Sequence, residues 1–469
     1  MNNVRPQLTL LNEEQIQQIH LYALRILSET GVRVDSPSVV EMLEKTGQVV
    51  VEGRSVRLSS ELVESAIQSA PSTVQIYDRC GNPVFNLGND RLRFGVGVTA
   101  LYYQEPVNDN VVEFTREHMR IMTRLGSALP LYDVISTAGI VRDVPAHLSD
   151  LYGSLEHFAN TAKPLVLLVS DEQKFVPVLD LFEYLHAGVG ERPFVLPYLN
   201  PVSPLVMDAG TLLKMEAAIN RGLPLIFSNY SMVGASTPLT PAGVLALLLA
   251  ELLAGLTISQ VMKPGAPIVL GMLPAYFDMK SMLNFYDPQS FLVNLACAEM
   301  MAHYKLPHCG TSGSGTGWGM DLIAADTYWM STLTTALTKG GLAPFVGDSL
   351  GSKTISPTTV VHVHEIIDQA LRFANGFQLD DAQSALGEIV KVGPGGSFLS
   401  SPTTLKNYRN GYYVSDVYPR WSMERWQAEG HPEASSILRE ETQNMLAELS
   451  APDDYDEVIG LGNEFIKRV

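Results

Sequence analysis

Pro224-Leu-Ile-Phe-Ser-Asn229 and Pro267-Ile-Val-Leu-Gly-Met272 are two short apolar runs, and Pro241–Met262 between them reads as one apolar helix. A continuous apolar run, without polar alternation, suits a parallel strand buried on both faces. Strand, helix and parallel strand make a βαβ unit, and a leading proline is tolerated at the first strand residue. The same unit recurs in both directions. Further strand-like runs are Leu92–Val98, Asp133–Thr137, Pro164–Val169, Pro193–Leu199, Pro307–Thr311 and Ala343–Asp348. Helical segments alternate with them at Glu117–Ala128, Asp150–Asn160, Lys174–Ala187, Asp208–Asn220, Gln289–His303 and Leu322–Thr338. Eight such units close a (β/α)8 TIM barrel, an α/β fold with its active site at the carboxyl ends of the strands.

The flanks differ from this rhythm. Asn12 caps a helix with Ile16, Ile19, Ala23 and Leu27 at helical spacing, and Gly31 closes it. Ser36-Pro37 opens a second helix, Val49–Leu58 reads as a hairpin turning at Gly53, and a third helix runs from Ser60 to about Ala70. We therefore expect an N-terminal α+β extension over 1–90, the barrel over 91–375, and a C-terminal extension over 376–469 packing on the barrel.

The 469 residues are 46% apolar and 17% charged, an ordinary globular composition. A net charge of −18 and the lack of a basic run argue against nucleic acid or an anionic membrane as partner. The apolar stretch from Gly243 to Ile258 is interrupted by Glu251 and is shorter than the roughly 20 residues of a membrane span, so a buried helix is expected. The opening MNNVRPQLTLLNEEQ lacks a signal-peptide core, and Cys80, Cys297 and Cys309 form no CxxC pair. A cytoplasmic location is the expectation.

The strand ends are rich in aromatics and poor in cations: Tyr102-Tyr103-Gln104-Glu105, Tyr198, Asn200 and Ser203, Ser228-Asn229-Tyr230, Tyr276-Phe277-Asp278, and Phe345-Val-Gly-Asp348. Ring faces and a nearby negative charge stabilise a quaternary ammonium group, which has no hydrogen-bond donor of its own. The glycine-rich stretch Gly310–Gly319 lacks the Gly-Lys-Ser/Thr ending of a P-loop, and its spacing is wrong for a dinucleotide loop. Such a loop would let a bulky planar group approach the backbone. His362 and His364 lie about 200° apart on a helix and cannot share a face, so no metal site is expected there. His157 and Asp150 read as helix-surface residues.

Several ordered motifs resemble the trimethylamine methyltransferase family. They are Gln18-Ile-His-Leu-Tyr-Ala-Leu-Arg-Ile-Leu-Ser-Glu-Thr-Gly-Val-Arg-Val34, Phe94-Gly-Val-Gly-Val-Thr99, Asn200-Pro-Val-Ser-Pro-Leu205, Gly234-Ala-Ser-Thr-Pro-Leu-Thr-Pro-Ala-Gly243, Gly393-Pro-Gly-Gly-Ser-Phe-Leu399 and the stretch Trp421 to Gly430. The resemblance implies a barrel that demethylates an amine and passes the methyl group to the cobalt of a separate corrinoid protein. Corrinoid (cobalamin) is then the cofactor, supplied by that partner, with no tightly bound metal. The founding members carry a pyrrolysine that this chain lacks, which points to glycine betaine or a related quaternary amine as donor. The site residues expected on this basis are Asp348 as the catalytic counter-charge and Tyr102, Asn200, Asn229, Tyr230, Tyr276, Phe277 and Phe345 around the substrate. Gly313, Gly315, Gly317 and Trp318 would face the corrinoid. A homo-oligomer is compatible with this reading. The alternative is a non-catalytic barrel that binds a quaternary amine or corrinoid for sensing or delivery. A lyase or hydrolase would need an acid–base pair, for which Asp348 and Glu105 are the candidates.

Overall fold

The computed structural model describes residues 3–88, 91–310, 317–338 and 341–469. Its centre is a closed barrel of parallel strands: β1 (Leu92–Val96), β2 (Tyr132–Ser136), β3 (Leu165–Leu167), β4 (Val195–Leu199), β5 (Leu225–Val233), β6 (Ile268–Asp278), β7 (His308–Cys309) and β8 (Gly341–Val346). Each strand pairs with the next in sequence, and β8 pairs with β1 to close the ring. Helices α1 (Arg116–Ala128), α2 (Ser149–Ala159), α3 (Glu172–Leu185), α4 (Ala209–Asn220), α5 (Pro241–Met262), α6 (Pro288–His303), α7 (Leu322–Ala336) and α8 (Pro357–Asn375) follow the strands in turn. The expected (β/α)8 barrel is therefore the fold. Helix α5 is long and apolar enough to cross a membrane by length and composition, but it lies largely buried inside the protein. It sits flat on β5 because Gly255 has no side chain: a Cβ there would fall 2.0 Å from Phe227 Cε1.

Two additions decide where a ligand can enter. A hairpin of Val74–Tyr77 and Pro83–Leu87 places Val74, Ile76, Phe85 and Leu87 against barrel-interior residues Val134, Val166, Leu196, Ile226, Val269 and Leu342. The amino end of the barrel is filled with apolar side chains. At the other end, Tyr102–Gln104, Val111–Glu113, Asp348–Ser349 and Thr354–Ile355 form a small sheet, joining the loops that follow β1 and β8.

The extensions are stitched to the barrel. Val206–Met207, from the loop after β4, pairs with Val32–Val34 of the N-terminal sheet. The C-terminal helix Tyr455–Ile466 packs on α2 and α3. Just before it, Asp454 takes both terminal nitrogens of Arg79 at 2.6 and 2.9 Å, while Arg79 Nε donates to the Thr161 carbonyl at 3.0 Å.

His157 departs from its expected surface position. It is fully buried, and its Nε2 meets the Ile135 carbonyl at 3.1 Å, joining α2 to β2. Asp150 is half-buried and accepts the backbone N–H groups of Ser170 and Asp171 at 3.2 and 2.8 Å.

Candidate active site

At the carboxyl end of the barrel lies an inner cavity of about 320 Å³, lined by Val98, Thr99, Leu168, Tyr198, Asn200, Tyr230, Leu273, Asn284, Tyr286, Phe345, Asp348, Gly351 and Ser352. Strand geometry puts these groups together. Side chains alternate faces along β5, so Phe227 and Asn229 turn outward to α5 while Tyr230 turns in. Tyr198 at the end of β4 meets Phe345 of β8 edge-on, with ring centroids 4.9 Å apart at 83°. Burial pushes the Tyr198 phenol up. Gly347, at φ +112°, turns the chain after β8 and delivers Asp348 to the cavity.

Asp348 is fully buried, and the hydroxyl of Tyr328 on α7 meets both its backbone carbonyl and its Oδ1, the latter at 3.0 Å. Tyr230 and Asn284 are hydrogen-bonded through phenol and amide. Burial raises the Tyr230 phenol to about 12; the Asn284 hydrogen bond opposes that rise and the Asp348 carboxylate reinforces it. Tyr230 is a neutral phenol at physiological pH. The cavity thus offers four aromatic rings and one carboxylate, and among the described residues no Lys or Arg lines it.

Outside it opens a second, largely apolar cavity of about 720 Å³, whose lining includes Tyr102, Leu283, Phe285, Gly317, Trp318, Leu350 and Lys353. Asn284 and Gly351 belong to both linings, so the cavities adjoin there. Leu350, Gly351 and Ser352 are consecutive left-handed residues, with φ of +52°, +66° and +62°. Buried Gln104 fixes the rim: its amide donates to the Trp318 carbonyl at 2.8 Å and accepts from Ser349 Oγ at 3.1 Å. Trp318 itself is 73% exposed.

The structure gathers Asn200, Tyr230, Phe345 and Asp348 in the inner cavity and Tyr102, Gly317 and Trp318 in the outer one. Asn229 lies elsewhere. It donates to the Leu248 carbonyl at 2.8 Å and to Glu251 Oε2 at 2.9 Å, behind the barrel wall. Glu251 also accepts from Ser203 Oγ and the Leu205 N–H, both at 2.8 Å, so this buried carboxyl is structural. Tyr276 and Phe277 sit where β6 runs on into a hairpin with Leu283–Phe285, outside both linings. Gly313 and Gly315 fall outside the described residues. Tyr286, Asn284 and Tyr328 carry no expected role in the sequence, although Tyr286 directly precedes the Asp287-Pro288 start of α6. His362 and His364 serve opposite sides: His362 Nδ1 meets Tyr418 Oη at 2.7 Å, and His364 Nε2 accepts the Leu131 N–H at 3.3 Å.

The family model for trimethylamine methyltransferase (MTTB) matches residues 1–468. The chain belongs to the trimethylamine methyltransferase family. It is similar to a glycine betaine methyltransferase of Desulfitobacterium hafniense (strain Y51), at 27% identity covering 92% of this chain and 90% of that one. A trimethylamine methyltransferase MttB of D. hafniense (strain DSM 10664 / DCB-2) is 26% identical, over 93% and 90% of the two chains. The crystal structure of the Methanosarcina barkeri monomethylamine methyltransferase (MtmB) superimposes with a TM-score of 0.57 at 10% identity, covering 95% of this chain and 89% of that one. That last likeness is one of fold. Among family members this chain is a methyltransferase whose inner cavity is built of aromatic rings around one carboxylate.

Proposed function

We propose that this methyltransferase takes a methyl group from a quaternary ammonium donor and delivers it to the reduced cobalt of a corrinoid carried by a partner protein. The observation that carries the reading is the inner cavity: four rings and the Asp348 carboxylate, with no lining Lys or Arg among the described residues. Ring faces attract a quaternary nitrogen by about 0.5–2 kcal/mol each, more where water is excluded. Glycine betaine, named for the D. hafniense relative, is the reference donor.

The chemistry asks little of proton-transfer groups. A quaternary nitrogen already carries its charge and leaves as a neutral amine, so the protein's task is to position the N–CH3 bond for in-line displacement. Tyr198, Tyr230, Tyr286 and Phe345 hold the cation, and Asp348, steadied by Tyr328, balances its charge. The donor's methyl group points toward the Asn284–Gly351 junction, where the inner cavity meets the outer. The apolar outer cavity, with exposed Trp318 at its edge, suits a large planar acceptor approaching from solvent. Reduced corrinoid supplies the nucleophilic electron pair.

The test is optical: purified protein, chemically reduced cobalamin and a panel of glycine betaine, proline betaine, carnitine, choline and trimethylamine. Loss of the Co(I) absorbance with a quaternary donor is expected. Tight donor binding with no turnover across the panel overturns it in favour of sensing or delivery.

A further inference from the structure

We propose that the protein assembles with itself, segment 376–430 of each copy lying as an arm across the outer face of helix α7 of a second copy. The arm leaves α8 at Gly376 and is tied back to the same helix further on. Tyr413 and Ser415 donate to Glu365, and Tyr418 meets His362 at 2.7 Å. It is held in place yet buries almost nothing. From 376 to 430 only Ser401 and Val417 are buried. Its three short helices, Leu386–Val392, Pro402–Asn407 and Met423–Ala428, have no buried residue.

Thirteen large apolar side chains of the arm, from Phe377 to Trp426, are exposed, Leu399 at 83% and Val390 at 80%. Ordering a chain segment costs about 1–2 kcal/mol per residue. An arm that leaves its apolar groups in water recovers little of that within its own copy. Soluble monomers rarely expose apolar patches beyond a few hundred Å². At roughly 100 Å² for each half-exposed side chain, about eight of these supply the ~800 Å² that each partner of a stable interface buries.

Helix α7 presents the matching surface. Its inner face carries Tyr328 to Asp348, while Leu322, Ile323, Trp329 and Met330 stand exposed at helical spacing on the outer face, Leu322 at 89%. The charges match as well. Residues 317–336 contain Asp321 and Asp326 and no Lys or Arg. Residues 391–425 contain five basic and two acidic side chains, a net +3 within a chain of net charge −18. Such a stretch is attracted by a strongly acidic second copy. Each copy supplies one arm and one face, both uncovered within the copy, so a two-fold pair covers all four surfaces at once. Through Tyr328, the covered helix is also the one that reaches the inner cavity.

The test is the mass of the full chain by sedimentation velocity at micromolar concentration. Wild type should run at twice the mass of one chain or a larger multiple. Val390→Asp with Leu399→Asp on the arm, and separately Leu322→Asp with Ile323→Asp on the face, should each give a monomer with the wild-type circular dichroism spectrum. Mixing the two variants should restore pairs, because one intact arm still meets one intact face, bound roughly tenfold or more weakly than wild type. Should either variant misfold, exposed Asp326→Lys keeps the apolar face and decides in its place, with association weakened roughly fivefold at low salt and little at high salt. A monomeric wild type overturns the inference and leaves the arm to a different protein. Folded variants that still associate, a mixture that stays monomeric, or an Asp326→Lys protein that associates as wild type does overturn the arm-on-α7 pairing.

Discussion

The Tyr328 hydroxyl on α7 meets both the backbone carbonyl of Asp348 and its Oδ1, the latter at 3.0 Å, tying a helix of the outer ring to the residue that brings a carboxyl to the inner cavity. Both residues are buried. The contact holds the Asp348 backbone and side chain in place before a ligand arrives, and such preorganisation lowers the cost of binding.

Tyr328→Phe keeps the ring and removes this donor. A buried hydrogen bond to a charged group contributes about 1.5–3 kcal/mol. The variant should stay folded, lose about that much stability in thermal or denaturant unfolding, and show a roughly tenfold higher KM for a quaternary donor. An unchanged KM with lowered stability would make the Tyr328 bond purely structural.

Phe345→Ala removes both a cavity wall and the edge-on partner of Tyr198. Loss of one ring from a cation box costs about 1–2 kcal/mol. Calorimetric titration should show quaternary donors binding roughly tenfold more weakly, with a neutral isostere such as 3,3-dimethylbutanol affected much less. Equal losses for both ligands would indicate packing alone.

Stability should fall between pH 6.5 and 4. Burial lowers His157, His362 and His364 to about 4, against an unfolded value near 6.5. Over that window the unfolded chain binds protons that the native chain does not. The contribution is therefore present above pH 6.5 and lost as pH falls toward 4. Melting temperature against pH checks the slope, and His157→Gln, which keeps a donor for Ile135, should flatten it.

Gly255→Ala should cost about 1–3 kcal/mol by overpacking. The new Cβ would meet Phe227 Cε1 at 2.0 Å, so α5 and β5 must part. A denaturant midpoint unchanged from wild type would contradict the flat helix–strand packing.

The barrel was legible because strands buried on both faces are largely apolar, as Leu225–Phe227 and Pro267–Met272 are, and because helical segments separate them at regular distances. What lay beyond reach depended on non-local contacts. The Val74–Leu87 plug is an ordinary hairpin until the barrel interior receives it. Strand β6 overruns Met272 because Leu283–Phe285 folds back to pair with it, placing Tyr276 and Phe277 in a hairpin beside the linings of the two cavities. Tyr286 and Tyr328 join the site from a helix approach and a helix interior, where nothing local marks a role. Asn229 was decidable. Period two along β5 places it opposite Tyr230, so only one of the two could face the ligand.

The central claim is that a methyl group leaves a quaternary nitrogen for reduced cobalt under the control of this cavity. The most direct measurement supplies a donor labelled with 13C in its N-methyl groups to the protein and reduced cobalamin, and follows both products by NMR. The account predicts labelled methyl on cobalt and one equivalent of demethylated tertiary amine, both abolished when Asp348 is replaced by Ala. Label that stays on nitrogen while the donor is bound would contradict it.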